Sequence, residues 1–119
     1  MWTWDQSAGA LSRAGKIWRG YSGAGRGKNN PSMQAAQAVG PIPRGRWRIT
    51  GKKDSPNTGP FTIVLEPEPD TDTCGRSEFR IHGDSIAHPG TASHGCIILP
   101  RAVRDAIWAS GDRDLIVVA

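Results

Sequence analysis

The sequence has little with which to hold a fold together covalently. Two cysteines, Cys74 and Cys96, stand in 119 residues, and a lone pair makes no disulfide framework. No apolar run approaches the roughly 20 residues that cross a bilayer, so a helical membrane span is excluded. The first sixteen residues, MWTWDQSAGALSRAGK, lack the basic region followed by an apolar stretch that marks a Sec signal peptide. The expectation is a chain that stays in the cytoplasm or leaves by a route that reads no such signal. There is no internal repeat and no linker, which points to a single domain over residues 1–119. Tyrosine and phenylalanine are scarce, one and two residues against five tryptophans, so most large aromatic surface is carried by Trp and is expected in the core.

What the chain does have is punctuation. Fifteen glycines and nine prolines favour short strands joined by turns over long helices. The net charge of +4 suits an anionic partner but is spread without a run, as on an ordinary solvated surface.

Alternation of large and polar side chains predicts strands in WTWDQ (2–6), Ala10–Arg13, Lys16–Tyr21 and RWRIT (46–50). FTIVLEP (61–67), SEFRIHG (77–83), SHGCIIL (93–99) and DLIVVA (114–119) add four more, the last apolar enough for burial on both faces. Asn30-Pro31 offers a cap and first-turn proline for a short helix over Ser32–Val39, stopped by Gly40. Pro100 opens a second helix that runs through Ala109 and stops at Gly111. The glycine-rich SGAGRGKNN (22–30) lacks the Gly-Lys-Ser/Thr ending of a phosphate loop and reads as a mobile surface loop. GKKDSPNTG (51–59) reads as a loop as well. The sum is a mainly β domain, a curved sheet or two packed sheets, with two short helices.

All three histidines and one cysteine fall in FRIHGDSIAHPGTASHGCIILP (79–100). A cysteine attacks only as the thiolate and needs a base or a positive field beside it. His82, at a predicted strand end, is the natural base for Cys96. Gly95 lets the backbone approach a substrate and aim N–H groups at a developing oxyanion. Arg80 shares the strand face of His82, where it either grips a substrate carboxylate or is merely solvated. Tyr21, beside the glycine-rich loop, is a candidate wall of the groove. Asp84 and Ser85 are placed to fix the loop after His82 by Asx-type bonds. His88 reads as a loop histidine without chemistry. His82, His88, His94 and Cys96 could in number bind zinc, but their spacing matches no common zinc pattern. No metal or other cofactor is expected.

IHG at 81–83 followed by SHGCI at 93–97 resembles the L,D-transpeptidase signature of a catalytic His, a spacer and Ser/Thr-His-Gly-Cys. The short spacer, and Ile98 where the housekeeping enzymes usually carry Arg, resemble a small branch instead, the Tlde1-type effectors of type VI secretion, as do YSG (21–23), NNP (29–31) and GPIP (40–43). The resemblance implies an L,D-transpeptidase-like sheet. It implies that Cys96 is acylated, that His82 is the base oriented by the Gly83 carbonyl, and that the N–H groups of Gly95 and Cys96 form the oxyanion hole. Ser93 and His94 would shape the nucleophile loop, with Ser93 near the substrate. The implied substrate is the tetrapeptide stem of peptidoglycan in the periplasm of a target bacterium, and the implied partner a cognate immunity protein. Neither nucleic acid nor membrane is expected to bind. Two alternatives stand beside this reading. One is a housekeeping enzyme cross-linking the cell's own wall. The other is a non-catalytic binding module using the basic surface, for which RWR (46–48) is the best support.

Overall fold

The computed structural model describes residues 1–119. Nine strands form one sheet: β1 (Trp2–Asp5), β2 (Ala10–Arg13), β3 (Lys16–Arg19), β4 (Tyr21–Ser22), β5 (Gly45–Ser55), β6 (Gly59–Pro67), β7 (Arg80–His82), β8 (Ile97–Ile98) and β9 (Asp114–Val118). Their spatial order is β3-β2-β1-β9-β5-β6-β7-β8-β4. The pairs β1–β9 and β7–β8 are parallel and the others antiparallel.

β3 and β4 are the two ends of that order, yet only Gly20 separates them in the chain. One residue spans less than about 4 Å. The sheet must therefore curl until its first and last strands are neighbours, which makes it a nearly closed barrel. The mainly β expectation holds, as a single curled sheet and not two packed ones.

The barrel interior is the core. Trp2, Trp4, Leu11, Trp47, Ile49, Ile63, Leu65, Ile81, Ile97, Leu115 and Val117 are all buried in one apolar cluster. They occupy alternate positions of their strands, as a one-sided burial pattern requires. β9 follows the same rule: Leu115 and Val117 point inward while Ile116 and Val118 are half exposed. The run DLIVVA is thus buried on one face only, not on both. Trp18 and Trp108 pack against the cluster from outside.

The helix α1 (Arg101–Ala109) closes one side with Val103 and Ile107 against the core. No helix is long and apolar enough to cross a membrane. The helix expected over Ser32–Val39 does not form; only a 3₁₀ turn at Pro31–Met33 remains. The expected cap is present, since Asn30 accepts from the Ser32 N–H at 3.2 Å. What fails is propagation. The Gln34 carbonyl, which would close the turn to Ala38, faces the guanidinium of Arg76 at 2.8 Å, and Ala38 takes a left-handed φ of 64° that no right-handed helix allows. GKKDSPNTG is likewise not a plain loop. The β5–β6 hairpin runs through it with two register shifts, because its polar side chains face solvent and so give no apolar alternation to read.

Candidate active site

β7 and β8 carry the two halves of the constellation. They are parallel neighbours, with Ile81 opposite Ile97 and His82 opposite Ile98. Cys96 immediately precedes β8 and so lies beside Arg80. Paired residues of a ladder share a face, so His82 and Cys96 point to the same side. They are one strand apart and two residues offset, roughly 8 Å between Cα atoms, a span that an imidazole and a thiol close between them. Both line one cleft of about 880 Å³, walled by residues 56–60 of the hairpin and by the segment after His82. A second lobe of about 400 Å³ shares Asn57, His94 and Cys96 with the first and adds Arg76, Glu78 and Arg80. The thiol therefore sits where two lobes meet.

The His82 ring is buried, and its Nδ1 lies 2.9 Å from the Gly83 carbonyl oxygen. A carbonyl only accepts, so in the neutral ring Nδ1 carries the proton and Nε2 keeps its lone pair. The Cys96 thiol approaches the Glu78 carbonyl at 3.7 Å and receives the Arg80 backbone N–H.

The loop that carries Cys96 is tied by buried hydroxyls. Ser93 is fully buried. Its Oγ donates to the Cys96 carbonyl at 2.6 Å and accepts the N–H groups of Gly23 at 2.9 Å and Gly95 at 3.0 Å. Ser22 Oγ donates to the Gly95 carbonyl at 2.7 Å. Two expectations change as a result. Ser93 shapes the loop from within and does not face a substrate. The Gly95 N–H is already taken, so of the two expected oxyanion donors only the Cys96 N–H is left without a partner in the fold. Gly95 itself is obligatory. Its φ is +136°, and a Cβ there would lie 2.4 Å from Arg76 Nη2. His94 is exposed in the cleft with Nδ1 3.1 Å from the Ala38 carbonyl.

A family model for the Tlde1 domain matches residues 16–114. The chain belongs to the Tlde1 domain family. This is a family of type VI secretion effectors. The match takes in both motifs and leaves out β1, β2 and most of β9. No curated protein matches the chain.

In this Tlde1 domain three arginines crowd the thiol and the imidazole, against the carboxylates of Glu78 and Asp84. Arg76 and Arg104 are both buried, and neither they nor Arg80 enters any of the six ion pairs. Arg104 reaches from α1 to the carbonyls of Leu99 at 2.6 Å and Phe61 at 3.1 Å, with its guanidinium under Gly83. Arg76 spans four carbonyls, those of Gln34, Gly40 and Pro41 at 2.8 Å and that of His94 at 3.0 Å. Arg80 Nε is buried and has no partner. Burial pushes the His82 imidazole below its ordinary range, the Gly83 carbonyl works against this, and the charges of Arg104 and Arg80 push the same way as burial. Burial raises the Cys96 thiol, while the Arg80 N–H and the charges of Arg80 and Arg76 pull it back.

The remaining expected positions are scattered. Tyr21 does not line the cleft. Its hydroxyl donates to Asp84 Oδ1 at 2.6 Å and accepts the Ala92 N–H at 3.0 Å. The glycine-rich segment is packed and not a free surface loop, with Gly23 and Gly27 buried against the Val39 carbonyl. Asp84 binds the backbone of its own loop through the N–H groups of Ser85 and Gly90. His88 is exposed away from the cleft, and Cys74 is a free thiol in a turn. No three His, Cys, Asp or Glu side chains converge as a metal site would require. Sequence reasoning missed Ser22, Arg76 and Arg104. Nearly all of their partners are backbone groups far along the chain, and no local pattern announces them.

Proposed function

We propose that this Tlde1 domain is a cysteine-nucleophile enzyme that breaks the L,D bond of peptidoglycan tetrapeptide stems. The observation that carries the reading is the shared cleft of His82 and Cys96, with the imidazole held in the Nδ1–H tautomer. His82 Nε2 takes the thiol proton as sulfur attacks the carbonyl on the L-centre of the third residue. The Cys96 N–H is the donor nearest the developing oxyanion. Collapse forms a thioester and expels the terminal D-alanine, whose amine takes the proton from His82. Water then releases a tripeptide, or a D-amino acid takes the acyl group, in either case with its proton passing through His82. Base catalysis of this kind contributes roughly 10²–10⁴ in rate.

The protonated leaving amine has to lie near His82, so the leaving residue occupies the larger lobe. The acyl part then falls in the lobe of Arg80, whose unpartnered Nε suits a stem carboxylate. Action on stem peptides places the enzyme in the periplasm of a target bacterium, with an immunity protein covering the groove in the producer.

Conversion of Cys96→Ala tests the assignment. Purified muropeptides incubated with the variant are expected to stay tetrapeptides by mass spectrometry. Tripeptide or exchange product formed at the wild-type rate would remove Cys96 from the mechanism.

A further inference from the structure

Two catalytic segments, one ending at His82-Gly83 and one beginning at Ser93, are joined by a loop with no regular structure. A loop of this kind does not by itself fix the distance between a base and a nucleophile. In this fold a single hydroxyl touches both of its ends. Tyr21 lies in the same cross-strand row as His82: Tyr21 is opposite Ile98, and Ile98 is opposite His82. From there its side chain reaches over β8. The hydroxyl donates to Asp84, two residues after His82, and accepts from the Ala92 N–H, four residues before Cys96. Asp84 closes the loop on itself, accepting the Gly90 N–H at 3.1 Å on either oxygen. Lys28 Nζ donates to the Gly90 carbonyl at 2.6 Å and stands 4.6 Å over the Tyr21 ring. The phenol is consumed by these bonds and does not face the cleft.

We propose that Tyr21 is a positioning residue that sets the relation of His82 to Cys96 by tying both ends of the loop between them, with Asp84 as its partner. The inference rests on the catalytic reading above. Its chemical content is orientation. The Gly83 carbonyl that holds the His82 tautomer is bonded directly to the residue whose carboxylate Tyr21 holds. Releasing Asp84 frees that carbonyl to turn and lets the imidazole follow. Releasing Ala92 loosens the entry to the buried Ser93 that holds the nucleophile loop.

Tyr21→Phe removes only the oxygen and keeps the ring under Lys28. The expected result is a fall in kcat of roughly 10–100-fold, the scale of an ångström-sized misplacement, with KM changed less than about threefold and a thermal midpoint close to wild type. Asp84→Ala loses the same bond and also frees the Ser85 and Gly90 N–H groups, so it is expected to fall at least as far. The double variant Y21F/D84A is expected to lose far less than the product of the two single losses, because both remove the bond between Tyr21 and Asp84. Asp84→Asn keeps an accepting oxygen and is expected to recover part of the rate. A second readout does not need turnover. The ring ¹⁵N shifts of His82 are expected to report one Nδ1–H tautomer in wild type and a mixture of tautomers in Y21F. A Y21F variant with wild-type kcat and an unchanged His82 spectrum overturns the inference, as do additive losses in the double variant. If Cys96→Ala keeps full turnover, the catalytic reading fails instead, and the His82 spectrum still decides the role of Tyr21.

Discussion

At the scale of single residues, burial favours the neutral forms of both the His82 imidazole and the Cys96 thiol. Burial lowers the imidazole and raises the thiol, so transfer of the thiol proton to His82 in the free protein is disfavoured from both sides. A lowered folded value means that His82 is an unprotonated base at pH 7. It is lost only as pH falls through that lowered value, below the ordinary imidazole figure of about 6.5. The acid limb of kcat/KM is therefore expected below pH 6.5. Iodoacetamide alkylation of Cys96 in the free protein is expected to climb with pH to a midpoint above the ordinary thiol figure of about 8.5. Alkylation at full rate already at pH 6 would mean a preformed thiolate–imidazolium pair and would contradict this account. The candidate pair His82 and Cys96 was legible because histidine, cysteine and glycine lie together in one short stretch. Arg76 was not. It is one arginine in a turn, and its meaning comes from four carbonyls contributed by residues 34–41 and His94.

At the scale of elements, strands were legible where one face is buried and lost where both faces are wet or the pairing is brief. WTWD and RWRIT show period-two alternation and FTIVLEP a strongly apolar run, and they became β1, the start of β5, and β6. The apparent strands 77–83 and 93–99 shrink to three and two residues in β7 and β8, because their flanks serve the cleft instead of the ladder. The connection between α1 and β9 makes an element-scale prediction. Asp112 is partly buried, which by itself would raise its carboxyl. The Met1 ammonium at 2.6 Å, the Asp114 N–H and Arg13 at 2.9 Å outweigh this and hold it at about 2. A depressed carboxyl contributes stability that is full above its unfolded value of about 3.9 and fades as pH falls toward the folded value. Asp112→Asn is expected to cost at most about 2 kcal/mol at pH 7. The gap from wild type should close between pH 4 and pH 2 in thermal melts. An equal gap at pH 2 and pH 7 would show that packing and not charge is at stake.

At the scale of the whole molecule, closing the barrel and building the site are one event. The chain leaves the first edge strand at Arg19 and enters the last at Tyr21, and Gly20 between them runs against β8. A Cβ on Gly20 would lie 2.1 Å from the Ile98 carbonyl oxygen and 2.7 Å from Leu99 Cδ2. Backbone at that distance cannot yield as a flexible side chain can. Gly20→Ala must push β3 and β4 away from β8, the strand that follows Cys96, and it carries the Tyr21 hydroxyl off with them. Overpacking of this kind costs about 1–3 kcal/mol. Turnover is expected to fall further than that loss of stability accounts for, at a temperature where the variant is still folded. Gly51 is the matched control. It lies in β5 at a register shift, with no atom within 4 Å of where a methyl would sit and no left-handed φ, so Gly51→Ala is expected to be neutral or to gain up to about 1 kcal/mol. Urea melts and muropeptide turnover of the two variants side by side decide the matter. If G20A and G51A unfold at the same midpoint and turn over alike, the barrel does not close against β8, and the link between closure and catalysis is lost.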